Sequence, residues 1–271
     1  MIEIKDITIG NNGPLVLIAG PCVVESEEIT MQTAEQIKNI AEELNIPFIF
    51  KSSFKKANRT SINSFVGLDQ NIAIDILKKV KTDLDLPVLT DVHTKADINL
   101  VSDIVDVLQI PAFLCRQTDL LIAAGNSGKV VNIKKGQFLS PEDMKFAAEK
   151  VKSTGNNKIM LTERGTTFGY HNLVVDMRSL VIMRELGYPV VMDATHSVQM
   201  PSNSNVTGGQ PKFILPLAKA AVSVGIDALF LEVHPNPQKA LSDAASQLPL
   251  SSLKDLLIKV QTIDKFVKEY D

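Results

Sequence analysis

Residues 190–196 read VVMDATH, an apolar run that ends in polar and charged residues. The same pattern recurs along the chain, and helix-length segments separate one run from the next. The eight runs cover residues 15–20, 48–53, 87–92, 107–111, 130–136, 159–164, 190–196 and 228–234. Parallel strands that are buried on both faces have this near-continuous apolar character. Eight alternating βα units therefore predict an α/β fold, a closed (β/α)8 TIM barrel.

The length of 271 residues agrees with one barrel domain, for which about 250 residues are typical. We therefore expect residues 1–271 to form a single domain. An open doubly wound sheet is the alternative, but it would need a G-x-G-x-x-G turn after an early strand. The first run instead ends in AGPC, residues 19–22. Residues 2–5 and 7–9 alternate apolar and polar side chains, which predicts a short N-terminal β-hairpin that plugs the bottom of the barrel.

Composition argues against several classes of partner and compartment. The formal net charge is −3 and the basic residues are spread along the chain, so neither nucleic acid nor a membrane surface is expected as a partner. No apolar run approaches the ~20 residues of a membrane helix, and residues 1–6 lack the basic start of a secretory signal. Two cysteines, Cys22 and Cys115, are too few for a disulfide framework. We therefore expect a cytoplasmic protein.

Basic residues gather where the predicted strands end, which is where barrels of this fold place their active sites. They are Lys51, Lys55, Lys56, Arg59, Arg116, Lys134, Lys135 and Arg164. Because buried cations without partners are costly, a polyanionic ligand is the expected partner for the set. Arginine offers a planar fork for phosphate or carboxylate, and lysine offers a point charge. The alternative for each single residue is a solvated loop position or a pair with a nearby acid.

A second group of residues predicts a metal site. In a closed barrel the first, seventh and eighth strands are neighbours, and these strands end in Cys22, His196 and Glu232, with Asp243 in the following loop. One thiolate, one imidazole and two carboxylates suit Zn²⁺, Fe²⁺ or Mn²⁺. The alternative is that Cys22 is a small buried apolar residue. His93 and His234 are interpreted as core residues or as residues that support the site, and Cys115 as a packing residue.

Seven motifs at these positions resemble those of a known family. They are IAGPC (18–22), FKSSF (50–54), KANR (56–59), QIPAFL (109–114), RQTD (116–119), LTERG (161–165) and DATHSVQ (193–199). Throughout nearly its whole length the chain resembles the 3-deoxy-D-manno-octulosonate 8-phosphate (Kdo8P) synthases. The related synthase of the shikimate pathway typically has Lys-Pro-Arg-Thr where this chain has KANR.

The resemblance implies a condensation of phosphoenolpyruvate with D-arabinose 5-phosphate and water to Kdo8P and phosphate, within Kdo and lipopolysaccharide biosynthesis. It implies that phosphoenolpyruvate is held by Lys51, Ser53, Gln109, the Ala112 N–H, Lys134 and Arg164. The sugar phosphate would be received by Lys56, Asn58, Arg59 and Thr60, with Asp91 on the sugar side. The implied catalytic residues are Lys51, Lys56, Asn58, His196 and Asp243. In the family Arg59 and Phe113 come from an adjacent subunit, so a homotetramer is implied.

The resemblance also assigns a class within the family. Metal-dependent members have cysteine after Gly-Pro and metal-free members have asparagine there, so Cys22 implies the metal-dependent class with Zn²⁺, Fe²⁺ or Mn²⁺. Gly136 and the segment 241–247 agree with that class. Lys55, Thr60 and Val66 depart from the family pattern, which puts sugar-phosphate contacts in question. Two other functions are compatible with the residues: a sensor that binds a phosphorylated metabolite without turnover, and an enzyme for another aldehyde such as erythrose 4-phosphate.

Overall fold

The computed structural model of the protein describes residues 1–57, 65–200 and 208–270. Its strands are β1 (Ile2–Ile4), β2 (Ile7–Ile9), β3 (Val16–Gly20), β4 (Phe48–Lys51), β5 (Val88–Asp91), β6 (Val107–Ile110), β7 (Val130–Lys134), β8 (Ile159–Glu163), β9 (Thr166–Thr167), β10 (Leu173–Val174), β11 (Val190–Asp193), β12 (Gln199–Met200), β13 (Gly208–Gly209), β14 (Ala228–His234) and β15 (Leu248–Pro249). Its α-helices are α1 (Glu27–Leu44), α2 (Gln70–Asp83), α3 (Lys95–Val101), α4 (Thr118–Asn126), α5 (Met144–Lys152), α6 (Arg178–Glu185), α7 (Ile214–Ser223) and α8 (Leu253–Tyr270). Each of the eight predicted apolar runs contains one of the longer strands.

The strands β3 to β8, β11 and β14 form the predicted closed barrel. They pair in parallel in chain order, and the ring closes because β14 pairs with both β11 and β3. Helices α1 to α8 follow the strands in alternation and cover the outside of the ring, where the larger apolar core lies. The (β/α)8 prediction is confirmed, and the open doubly wound sheet is excluded. The closure also confirms that the first, seventh and eighth barrel strands are neighbours.

The N-terminal hairpin is confirmed as well. Strands β1 and β2 pair antiparallel, with Ile2 opposite Ile9 and Ile4 opposite Ile7. Its four isoleucines are buried, whereas Glu3 and Thr8 between them are exposed. They belong to one apolar cluster with the inward-facing residues of the barrel, among them Val16 and Val191 near the amino ends of their strands. The hairpin therefore closes the bottom of the barrel, opposite the end where barrel enzymes place their active sites.

The first strand ends where two backbones approach closely. Gly20 has a φ of 157°, and a Cβ built on it would lie 2.0 Å from the Lys51 carbonyl oxygen of the neighbouring strand. Only glycine fits such a contact. After this point the chain turns through Cys22 into α1, whose first turn is capped by Ser26 Oγ accepting the Ile29 N–H at 3.1 Å. Glycine and cap together fix the loop that carries Cys22.

Across the described residues, none of the helices combines the length and the apolar character needed to span a membrane.

Ile9→Ala tests the role of the hairpin as a barrel plug. Ile9 has no exposed surface, and deletion of such a buried side chain costs about 2–5 kcal/mol. We expect the free energy of unfolding, measured by urea denaturation at fixed protein concentration, to fall by that amount. Thr8→Ala on the exposed face of the same strand is the control and should change it by less than about 0.5 kcal/mol. Equal, small changes in the free energy of unfolding for both substitutions would contradict the role of the hairpin as a barrel plug.

Candidate active site

The polar residues of the candidate site lie at the carboxyl ends of the barrel strands. Lys51, Asp91, Lys134 and Asp193 are the last residues of β4, β5, β7 and β11. All four are buried, although buried charged groups are stable only when they are paired. The strand ends therefore form a mutually paired set of charges at the mouth of the barrel.

Three of the predicted metal ligands come together at this mouth. The Cys22 Sγ lies 3.2 Å from Asp243 Oδ2. One ligand atom from each of Cys22, Glu232 and Asp243 lies within 4.8 Å of the others. We call these three residues the anionic cluster. Burial, followed by the charges of Asp243 and Glu232, raises the pKa of the Cys22 thiol well above its usual value.

His196 adjoins the anionic cluster, as predicted. Its Nε2 lies 3.6 Å from Glu232 Oε1 and 4.0 Å from Asp243 Oδ2. Its Nδ1 lies 2.7 Å from Asp193 Oδ2 on the opposite side of the ring. Burial alone would raise the pKa of Asp193, but His196 and Lys134 lower it far below its usual range. A carboxylate on one imidazole nitrogen fixes the ring so that the other nitrogen faces the site.

Two lysines balance the charge of the anionic cluster. Lys51 Nζ lies 2.9 Å from Glu232 Oε1 and donates to the Cys22 carbonyl at 3.0 Å. Burial would raise the pKa of Glu232, but Lys51 and then His196 lower it to about 2, so its carboxylate is ionised at neutral pH. Lys56 Nζ lies 3.1 Å from Cys22 Sγ and 3.7 Å from Asp243 Oδ2. The resemblance assigns Lys56 to the sugar phosphate, whereas here its ammonium group lies against the anionic cluster.

The anionic cluster has the donors that a divalent cation requires. Glu232 Oε2 is buried and has no hydrogen-bond partner among the described residues, which leaves an oxygen free to bind a positive ion. A thiol, two carboxylates and an adjacent imidazole suit Zn²⁺, Fe²⁺ or Mn²⁺ better than Mg²⁺, which prefers oxygen donors. A bound cation would also favour the thiolate of Cys22, against the effect of burial.

Cationic residues lie on the other side of the mouth. Arg164 follows β8 directly and is buried. Its Nη2 donates to Gln199 Oε1 at 3.0 Å, and its Nη1 has no hydrogen-bond partner within the described part of the chain. Lys134 Nζ lies 2.5 Å from Asp193 Oδ2 and 4.1 Å from the centre of the Phe230 ring. Burial lowers the pKa of both cations. A buried guanidinium with an unused donor is suited to a carboxylate or phosphate oxygen.

A chain of hydrogen bonds connects five barrel strands below the mouth. Ser53 Oγ donates to Asp91 Oδ2 at 2.5 Å, and Gln109 Nε2 donates to Asp91 Oδ1. Asn132 Nδ2 donates to Gln109 Oε1 at 2.9 Å, and Thr162 Oγ1 donates to Asn132 Oδ1 at 2.6 Å. Every donor in the chain points towards Asp91. The Asp91 carboxylate therefore sets the direction of the amide of Gln109.

Sequence reasoning did not single out four residues with clear roles here: Asp193, Gln199, Asn132 and Thr162. Asn132 and Thr162 carried a usable signal, because each is a polar residue inside an apolar run. Gln199 and Asp193 lie in the DATHSVQ motif that carries the resemblance, but neither was given a role.

Two other predicted residues follow β6, and three lie outside the described part of the chain. Ala112 begins a short 3-10 turn after β6 and is buried, and Phe113 beside it is 56% exposed. Asn58, Arg59 and Thr60 lie outside the described residues. Cys115 is buried in the outer apolar core, which agrees with its interpretation as a packing residue.

Three of the basic residues do not join the site. Lys55 Nζ lies 2.5 Å from Asp97 Oδ1, at the start of α3. Lys135 Nζ lies 3.5 Å from Glu163 Oε1 and donates to Thr166 Oγ1 at 2.8 Å. For these two residues the alternative interpretation, a pair with a nearby acid, is correct. Arg116 is exposed, as a solvated loop residue would be.

Comparison with known proteins agrees with this geometry. Residues 1–269 match the DAHP synthetase I family. A protein of Syntrophotalea carbinolica named 2-dehydro-3-deoxyphosphooctonate aldolase is 54% identical over 98% of this chain and 97% of its own length. Proteins of the same name from Legionella pneumophila and Desulfatibacillum aliphaticivorans are 56% and 55% identical, each over 96% of both chains. That name denotes Kdo8P synthase, so the resemblance found in the sequence is confirmed, and the chain belongs to the DAHP synthetase I family, with the Kdo8P synthases as its relatives.

Proposed function

We propose that the chain condenses phosphoenolpyruvate with D-arabinose 5-phosphate and water to give Kdo8P and phosphate, a step of Kdo and lipopolysaccharide biosynthesis. The observation that carries the proposal is the match, over nearly the whole length of both chains, to relatives named for this product. The charges of the site support it. Both substrates are anionic, and buried cations line one side of the mouth.

The phosphoenolpyruvate half of the site is assigned to Lys134 and Arg164, with Lys51 towards the centre. The unpartnered Arg164 Nη1 is suited to an oxygen of the substrate. The ammonium group of Lys134 faces Asp193 and the Phe230 ring. An incoming anion would bind its remaining N–H group. The chain of hydrogen bonds that ends at Asp91 holds Ser53 and Gln109 beside this half. Binding here orients the enol double bond, and such orientation can supply a large part of a rate enhancement.

The sugar half is assigned to Asp91, Lys56 and the predicted residues Asn58, Arg59 and Thr60. Lys56 leads directly into the segment that holds these three residues, and its ammonium group faces the mouth near Cys22. Arriving phosphate would attract Lys56 away from the anionic cluster. A metal held by Cys22, Glu232 and Asp243 would replace the positive charge that Lys56 places against the cluster, so Lys56 would be available to the sugar phosphate.

We assign the metal to Cys22, Glu232, Asp243 and His196. A bound Zn²⁺, Fe²⁺ or Mn²⁺ supplies a Lewis acid and a positive charge at this point of the site. Asp193 fixes the His196 ring through Nδ1, which leaves Nε2 for the cation. Lys51 keeps Glu232 ionised, so the carboxylate does not need to lose a proton before it binds.

The bond changes follow from the substrates. C3 of phosphoenolpyruvate attacks the aldehyde carbon, positive character develops at C2, water adds there, and phosphate leaves by C–O cleavage. Lys134 and Arg164 hold the carboxylate and phosphate oxygens while the charge on them changes. Because these cations are buried and already fixed by Asp193 and Gln199, they reorganise little during the reaction.

The same proposal includes a homo-oligomer, with a tetramer as the expected state. Phe113 supports it: this large aromatic side chain is 56% exposed beside the mouth. An apolar residue in that place is suited to cover by a second subunit.

The substrate assignment is tested by phosphate release from phosphoenolpyruvate. We expect release with D-arabinose 5-phosphate and little or none with erythrose 4-phosphate or without an aldehyde. Comparable turnover with erythrose 4-phosphate would change the assigned acceptor. Binding of phosphoenolpyruvate without turnover with any aldehyde would favour the sensor.

Arg164→Ala tests the phosphoenolpyruvate half. Loss of a buried charge-assisted contact typically costs about 2–5 kcal/mol, and we expect kcat/KM for phosphoenolpyruvate to fall accordingly. Arg178→Ala is the control, because the Arg178 side chain is 86% exposed and pairs with Asp176, its near neighbour in the sequence. Steady-state kinetics with each substrate varied in turn decides the matter. An unchanged kcat/KM in Arg164→Ala would remove this residue from the site.

The metal assignment predicts that a chelator abolishes activity and that Zn²⁺, Fe²⁺ or Mn²⁺ restores it. Cys22→Ser should lower both the metal content, measured by elemental analysis, and the activity, because a thiolate binds these ions better than a hydroxyl does. Cys115→Ala is the matched control, since Cys115 is equally buried but lies in the outer core. From the family pattern we expect Cys22→Asn to keep some activity that resists the chelator. Full wild-type activity without bound metal would leave Cys22 as a packing residue.

A further inference from the structure

The segment 235–245 carries Asp243 but has little burial to hold it. None of its residues is fully buried, and Leu241 is 52% exposed. Asp243 also has a φ of 50°, in the left-handed region that is uncommon for residues other than glycine. On its C-terminal side Asp243 is held by the buried Gln247, whose N–H donates to the Asp243 carbonyl at 3.3 Å and whose Oε1 accepts the Cys22 N–H at 3.4 Å. The part of the segment before Asp243 needs a contact of its own if the carboxylate is to stay 3.2 Å from the Cys22 thiol.

Glu25 makes contacts of this kind. Its side chain is buried, and its Oε1 accepts the Leu241 N–H at 2.9 Å. Its Oε2 lies 3.6 Å from His234 Nε2. His234 Nδ1 accepts the Asn236 N–H at 2.9 Å, so the ring carries its proton on Nε2, which faces the carboxylate. Glu25 thus contacts the segment at Leu241 and the strand end from which the segment departs.

The loop that bears Glu25 is itself firmly held. It runs from Cys22 to the Ser26 cap of α1. Within it the Val24 N–H donates to the Ser53 carbonyl at 2.9 Å, and Val23 forms a parallel bridge with Ser53. Glu25 therefore belongs to the same fixed loop as Cys22, while its partner Leu241 belongs to the exposed segment. The contact joins the loop of one proposed metal ligand, Cys22, to the segment of another, Asp243, although the two lie far apart in the sequence.

We infer that Glu25 is a positioning residue for the proposed metal site: its carboxylate holds the segment 235–245 at Leu241 against the loop of Cys22 and thereby keeps Asp243 in reach of the metal. Glu25 is not itself a proposed ligand. Residues that support ligands in this way typically change metal affinity about 10–100-fold when they are removed. The inference rests on the proposed metal site and is independent of which aldehyde is the substrate.

The test is the Zn²⁺ affinity of the full chain, measured by competition with a chromophoric chelator. Glu25→Leu removes the acceptor, and we expect it to weaken Zn²⁺ binding roughly 10–100-fold. Glu25→Gln keeps an oxygen that can accept the Leu241 N–H, although its NH2 group then faces the His234 Nε2–H, so it should restore most of the affinity that Glu25→Leu loses. Rescue by glutamine would identify the hydrogen bond as the feature that matters.

Asp264→Leu is the matched control. Asp264 is also a buried carboxylate that accepts a backbone N–H, from Leu15 at 3.2 Å, but at the amino end of β3. Asp264→Leu should lower the thermal stability of the protein without a change in its Zn²⁺ affinity. Equal losses of affinity in Glu25→Leu and Asp264→Leu would mean general destabilisation and overturn the inference.

A second measurement, the reactivity of the Cys22 thiol, tests whether the segment 235–245 still covers Cys22. In a Cys115→Ala background without metal, Glu25→Leu should make the buried Cys22 react faster with a thiol reagent. Unchanged reactivity together with unchanged Zn²⁺ affinity in Glu25→Leu would overturn the positioning role alone. Failure of the wild-type chain to bind Zn²⁺ through Cys22 would overturn both this role and the proposed metal site.

Discussion

The site depends on one buried ion pair, between Lys51 and Glu232, whose side chains are each 1% exposed and lie 2.9 Å apart. Lys51 ends β4 and Glu232 lies in β14, so the pair reaches across β3. Lys51 also donates to the carbonyl of Cys22, which follows β3. Loss of one partner would leave an uncompensated buried charge, which costs far more than an exposed charge does. Through this pair the closure of the barrel and the charge of the site depend on each other.

The pair separates two regions of opposite charge. On one side the thiol of Cys22 and the carboxylate of Asp243 await a cation, and the ammonium group of Lys56 lies against them. On the other side Lys134 pairs with Asp193, and Arg164 donates to the neutral Gln199. Asp193 connects the two regions, because it contacts Lys134 with the same oxygen that contacts the His196 ring. A site built in this way would accept the proposed metal and anionic substrates side by side without a large net charge in the protein alone.

The barrel was predictable because buried parallel strands require nearly continuous apolar runs, and eight such runs leave few other folds. The approach of Cys22, His196, Glu232 and Asp243 to one another was predictable because closure makes the first, seventh and eighth strands neighbours. The pairings between charged side chains of different strands were not predictable. Only the family resemblance singled out Lys134, which enters the mouth, from its neighbour Lys135, which pairs with Glu163. The contact of Glu25 with the Leu241 N–H was equally hidden, since it depends on how two distant loops meet in space.

The most direct test of the two-region site is a crystal structure with Mn²⁺ and phosphoenolpyruvate, in which the metal is located by its anomalous scattering. The account predicts one strong peak within bonding distance of Cys22 Sγ and the carboxylates of Glu232 and Asp243. It also predicts that the carboxylate and phosphate of phosphoenolpyruvate contact Lys134 and Arg164. A metal bound elsewhere, or phosphoenolpyruvate bound away from both cations, would contradict it.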